Sequence, residues 1–228
     1  MRKLSAFLML FILIGVLAAV PMAASAEERP IKEKVFITYG TGTGAGTDQY
    51  DVFSYDGLHW WDGPRTSGIP ATGIKYYVNT ASAAVKEAVK ASFETWDAQV
   101  TVELFNDAVQ QISKVAGNKY DGKNVVSWGA LRPGIVAVCY AWYYSDTLEI
   151  VEFGIVFNKL YAWGIGVATA FDVQNVATHE AGHTLSLNDL YKAEACELTM
   201  YGYASIGETK KQSLGLGDIN GVQYIYGA

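Results

Sequence analysis

The sequence predicts an α+β domain, and three observations carry that prediction. Residues 172–189 follow helical spacing with no proline among them, four β-prone runs lie between residues 101 and 157, and a further helical pattern precedes those runs. Taken along the chain, Ile74–Asn79 alternates loosely and is rich in β formers, so it reads as a strand. Val85, Val89, Phe93 and Trp96 then mark one face of a first helix. Thr101–Phe105, Asn124–Leu131, Ile135–Tyr144 and Leu148–Phe157 are the short β-prone runs. Asp172 suits the N-cap of a second helix, with Phe171 and Val176 at the positions of a hydrophobic staple. Along this helix Val176, His179, Glu180, His183 and Leu187 follow one stripe, while Val173, Ala177, Ala181 and Leu185 supply a second side against a core. Both sides being engaged, the helix is expected to be buried, with Gly182 its one weak residue. Asp218–Gly227 closes the chain as a third helix, its apolar residues at 219, 222, 225 and 226 keeping helical spacing.

The chemistry-bearing residues lie on the second helix. The protein has three histidines, and two of them fall in His179-Glu180-Ala181-Gly182-His183. Positions i and i+4 share a helix face one turn apart, so both imidazoles can reach a single zinc ion. Glu180 then stands beside the metal rather than on it, where a general base can take a proton from water. Six residues beyond His183 comes Asp189, and two histidines with a carboxylate form an ordinary catalytic zinc shell. An anion just past a helix C-terminus faces the unfavourable end of the dipole, a cost that a nearby cation would remove.

The run from His179 to Asp189 resembles the extended motif of the metzincin metalloproteases, HExxHxxGxxH, in the version that ends in Asp. Ser186 stands where that family has a glycine for a positive-φ turn out of the helix, which costs about 1 kcal/mol if the turn is kept. The resemblance implies a methionine turn beneath the metal, and Met200 in Leu198-Thr199-Met200-Tyr201-Gly202-Tyr203 takes that place. Within metzincins the chain is similar to matrixins, although it lacks their usual proline after the Met-Tyr pair and Tyr203 falls one place before their tyrosine. Tyr203 is carried over as a wall residue of the substrate site. The likeness covers roughly residues 70–228 and implies a zincin domain with a twisted mixed sheet of about five strands and three helices. It also implies a peptide or protein substrate, one catalytic zinc held by His179, His183 and Asp189, and Glu180 as the base. In that layout Ile135–Trp142 is the cleft rim that pairs with an extended substrate. Cys139 on the rim and Cys196 before the methionine turn are the only cysteines, and an even pair in an exported protein is expected to be bridged. Calcium is a further candidate ion. A histidine-rich structural zinc site is excluded by the histidine count.

Residues 1–26 read as a secretory signal peptide, with Arg2-Lys3, an apolar run and Ala24-Ser25-Ala26 as the cleavage signal. The mature protein is therefore expected outside the cell, without stable membrane insertion and as a monomer. Residues 27–70 are left as an N-terminal segment of uncertain role, a candidate short propeptide with a flexible Gly/Thr-rich stretch at 40–46, ahead of the domain at 71–228. The propeptide cysteine that keeps matrixins latent is missing, because no cysteine precedes Cys139. His59 is the one histidine outside the motif and reads as a packed or surface residue. A net charge of −6 and a pI near 5.1 offer no basic surface for nucleic acid. Of the fifteen Tyr and six Trp, Trp128, Tyr140, Trp142, Tyr143 and Tyr144 fall in the β-prone runs, where aromatics pack a sheet. The competing reading is a catalytically idle protein of the same fold that binds a peptide or a carbohydrate. The retained Glu180 argues against it, since nothing structural demands a glutamate there.

Overall fold

The computed structural model describes residues 29–42, 44–61 and 72–228; the signal segment 1–26 lies outside them. Nine strands and three α-helices follow in the order β1 (Ile31–Gly40), β2 (Tyr77–Val78), α1 (Ala83–Asp97), β3 (Gln110–Gln111), β4 (Val125–Gly129), β5 (Ile135–Tyr144), β6 (Ile150–Asn158), β7 (Trp163–Gly164), β8 (Phe171–Asp172), α2 (Val173–Thr184), β9 (Tyr203–Ala204) and α3 (Leu216–Tyr226). Seven strands form one mixed sheet in the order β3-β2-β4-β6-β5-β1-β9, and β7 pairs with β8 separately.

The sheet thus has seven strands rather than about five. Three of its strands, β1, β3 and β9, answer to none of the expected runs, and β1 and β9 extend it beyond β5. β1 runs antiparallel to β5 from Ile31↔Tyr144 to Tyr39↔Ile135, and its last two residues pair in parallel with Tyr203 and Ala204 of β9. Residues 44–61 likewise lie on the domain: Trp60 Nε1 donates to the Thr184 carbonyl at 2.6 Å, and Trp61 packs on Tyr226 with ring centroids 4.8 Å apart. The stretch expected to be flexible is seated too, with Gly42 against Tyr203, and Gly44 and Gly46 against residues 193–196.

Local signals placed most elements. Ser82 caps α1 through Oγ, and α1 buries Ala88, Val89, Phe93 and Trp96. Phe93 stacks on Tyr76 at 4.3 Å and meets Phe105 edge-on at 4.6 Å, forming an aromatic core beneath the sheet. Two expected strands shrink. Only Tyr77 and Val78 of the first run join the ladder, and Thr101–Phe105 is no strand beyond a bridge from Phe105 to Ile74. Asp97 Oδ1 accepts the Leu104 and Phe105 amides at 2.6 and 3.2 Å, which holds that run against the end of α1 instead of a neighbouring strand.

The expected disulfide is absent: Cys139 and Cys196 are both free and buried. Cys139 belongs to the main core, whereas Cys196 sits in a small cluster with Ala195, Leu198 and Tyr201. With β1 inserted between β5 and β9, the two walls expected to be stapled are joined by backbone pairing instead. Among the described residues no helix is long and apolar enough to cross a membrane.

Candidate metal centre

Helix α2 carries His179, Glu180 and His183 through the middle of the molecule, and every residue on it except Gln174 is buried. Asp172 caps it as expected, accepting the Asn175 amide at 2.8 Å. Trp96 Nε1 on α1 donates to the Thr178 carbonyl at 2.8 Å and ties the two helices together one residue before the first histidine.

At its other end the helix closes in a Schellman turn. The Ser186 amide donates to the His183 carbonyl at 2.9 Å and the Leu187 amide to the Gly182 carbonyl at 3.1 Å, with Ser186 at φ 76°. The positive-φ turn is therefore kept despite the serine. Its hydroxyl donates to Asp56 Oδ1 at 3.2 Å, a contact that offsets part of the strain.

Both imidazoles are oriented by carbonyls. His179 Nδ1 lies 2.6 Å from the Thr199 oxygen and His183 Nδ1 lies 2.7 Å from the Leu187 oxygen. A carbonyl only accepts, so each Nδ1 carries its proton and each Nε2 presents a lone pair. Those two Nε2 atoms stand 3.1 Å apart, and Asp189 Oδ1 lies 3.2 and 3.4 Å from them. Three acceptors thus face one another in a buried place, and Asp189 Oδ1 has no hydrogen-bond donor. Such a group is unfavourable without a cation and fits one with nitrogen and oxygen ligands. Among the described residues, His179, His183 and Asp189 are the group whose ligand atoms lie close enough together, all within 4.8 Å. Burial, followed by the charge of Lys211, pushes the His179 pKa down to about 4, which keeps the ring neutral and able to ligate.

Sequence reasoning missed the supports of Asp189. The Tyr191 hydroxyl donates to its Oδ2 at 3.1 Å. Lys34 and buried Lys211 both act on it electrostatically, and they are the cations that an anion beyond a helix C-terminus requires. Met200 lies beneath the helix, 2% exposed, and the carbonyl that orients His179 belongs to the residue before it. The turn is held by Asp218 at the start of α3, whose carboxylate accepts the amides of Thr199, Met200 and Gly215 at 2.8, 3.0 and 2.9 Å. An acidic residue in the first turn of the closing helix was the only signal for it. His59 is not in the group; its Nδ1 lies 3.1 Å from the Gly57 oxygen.

The sequence model of the Matrixin family matches residues 72–227. The chain belongs to the matrixin family. No curated relative matches it. The match ends short of β1, so this matrixin carries a sheet strand from outside the family domain. Its Tyr203 begins β9, with its ring 5.7 Å from that of Tyr191 and 6.4 Å from that of Tyr39. Glu180 is wholly buried. Its Oε1 accepts the Thr38 hydroxyl at 2.7 Å, and its Oε2 has no partner. Burial pushes this carboxyl up to about 7, against the opposing effects of His183 and the Thr38 hydrogen bond.

Proposed function

We propose that this matrixin is a secreted zinc-dependent endopeptidase. The observation that carries the reading is the convergence of two imidazole lone pairs and the Asp189 carboxylate, with Glu180 next in the chain to His179 but outside the ligand group. His179, His183 and Asp189 would hold the ion. Bound zinc would polarise the scissile carbonyl and make water acidic enough to attack at neutral pH.

The chain's own groups do the rest. Glu180 removes the proton from the attacking water and returns it to the leaving amine, a task suited to a carboxylate whose pKa is near 7. Thr199 and Leu187 carbonyls keep the imidazoles in the tautomer that ligates. Met200 and Asp218 fix the floor from which His179 is oriented, and Tyr203 forms a wall of the substrate site. An extended peptide would lie along β5, the strand that the family layout makes the rim.

Secretion rests on residues 1–26 and a monomeric state on the single domain. The test is joint measurement of metal and activity. Protein equilibrated with zinc and dialysed should hold one ion per chain and cleave labelled casein, and chelation should abolish both. Bound zinc without cleavage in any variant would favour the idle binding protein.

A further inference from the structure

A peptidase must admit a peptide, yet His179, Glu180 and His183 are all 0% exposed. Over two of them, Glu180 and His183, lies β1. Its alternate residues point at α2 and the turn that follows it: Lys34 donates to Asn188 Oδ1 at 2.7 Å beyond the helix, while Phe36 stacks on the His183 ring at 4.3 Å and Thr38 donates to Glu180. The same strand is bonded to both walls of the cleft. It pairs with β5 on one side, and on the other the Tyr39 amide donates to the Gly202 carbonyl and the Thr41 amide to the Ala204 carbonyl, each at 3.1 Å. An extended peptide clasped by a rim strand and by the segment after Met200, with side chains alternating down onto the metal helix, is what a bound substrate would look like.

We propose that Ile31–Gly40 is an intramolecular occupant of the peptide groove and holds the protein latent until it is displaced. This rests on the peptidase reading. It replaces latency through a cysteine on the metal with a hydroxyl on the base and a phenyl ring over a ligand histidine. The strand is removable on physical grounds. Along most of its length β1 has a partner on one side only, since β9 meets just its last two residues. Its outer end is held by Arg29, which pairs with Asp146 at 3.1 Å on the surface, where ion pairs stabilise little. The occupant also defines the ligand class: an extended segment antiparallel to β5, with an aromatic residue over His183 and a small hydroxyl residue two places later at Glu180.

The test uses the zinc-loaded full chain. Phe36→Gly/Thr38→Gly strips both contacts onto α2 and weakens the strand without altering a groove residue. It should cleave casein at least ~10-fold faster than wild type, because a larger fraction of molecules is open. It should also bind a dye-labelled synthetic peptide with the sequence of residues 31–40, and not a scrambled one, at concentrations where wild type binds neither. Lys32→Cys/Tyr143→Cys joins directly opposed residues of β1 and β5. Oxidised, it should keep its zinc but cleave at least ~100-fold more slowly than after reduction. A glycine variant that neither accelerates nor captures the peptide, or an oxidised tether as fast as the reduced one, overturns the proposal. Should every protein hold zinc and none cleave, the hydrolase reading fails alone, and peptide capture by the glycine variant still decides the strand. Should the glycine variant not fold, the tether decides.

Discussion

Met200 packs its sulfur against the bare Cα of Gly182, in the last turn of the helix that carries both histidines. A β-carbon at 182 would collide with that sulfur and come within 2.7 Å of Trp96 Cζ2. The residue that looks weakest by helix propensity is therefore the one that lets the methionine turn approach the metal helix. Gly182→Ala should destabilise the protein by about 1–3 kcal/mol in urea unfolding, in spite of alanine's better helix propensity. Met200→Ala should recover part of that loss in the double variant. Additive losses would show that the two residues do not share the space.

Glu180→Gln should leave folding and zinc content unchanged, since Glu180 lies outside the ligand group. Peptide hydrolysis should fall by at least ~100-fold. Equal cleavage by the variant would remove Glu180 from the mechanism.

Asp189 decides the ligand set. Zinc retained after dialysis should rank wild type above Asp189→His, and both above Asp189→Asn and Asp189→Ala, because an amide is a poor ligand and alanine is none. Tyr191→Phe removes the hydroxyl on Oδ2 and should weaken zinc binding by roughly 10-fold or more. One tightly held zinc in the Asn and Ala proteins would place the third ligand elsewhere.

Ser186 pays for φ 76° with strain and recovers part through Asp56. Ser186→Ala keeps the strain and loses the hydroxyl, so it should cost about 1 kcal/mol. Ser186→Gly loses the same bond but relieves the backbone, and should be more stable than the alanine variant by about 1 kcal/mol. Thermal unfolding of the pair reads this order directly, and the reverse order would refute the strained turn.

Asp218→Ala would leave three buried amides without an acceptor. A loss of at least ~3 kcal/mol is expected, with zinc affinity falling as the Thr199 carbonyl moves off His179. A change within ~0.5 kcal/mol, the range of ordinary surface substitutions, would show that the methionine turn stands without α3.

The sequence by itself determined what depends on neighbours within a few residues. The i, i+4 spacing of His179 and His183, the Asp172 cap and the span of β5 from Ile135 to Tyr144 are all set by local periodicity and backbone preference. The family motif extended that reach to the turn at Ser186, to Asp189 and to Met200. Pairing between distant segments was decided only by the tertiary structure. Thr38 reaches Glu180 across 142 positions, and β1 reaches β5 across about a hundred, from Ile31↔Tyr144 to Tyr39↔Ile135, contacts for which a ten-residue strand shows no partner in its own sequence. Where Cys139 and Cys196 go follows from that same insertion of β1 between β5 and β9, and Asp218 finds the methionine turn only once α3 has docked. A strand's alternation states which face is buried but not what it is buried against. That choice is made by long-range packing, which here placed the chain's own N-terminal strand over its metal centre.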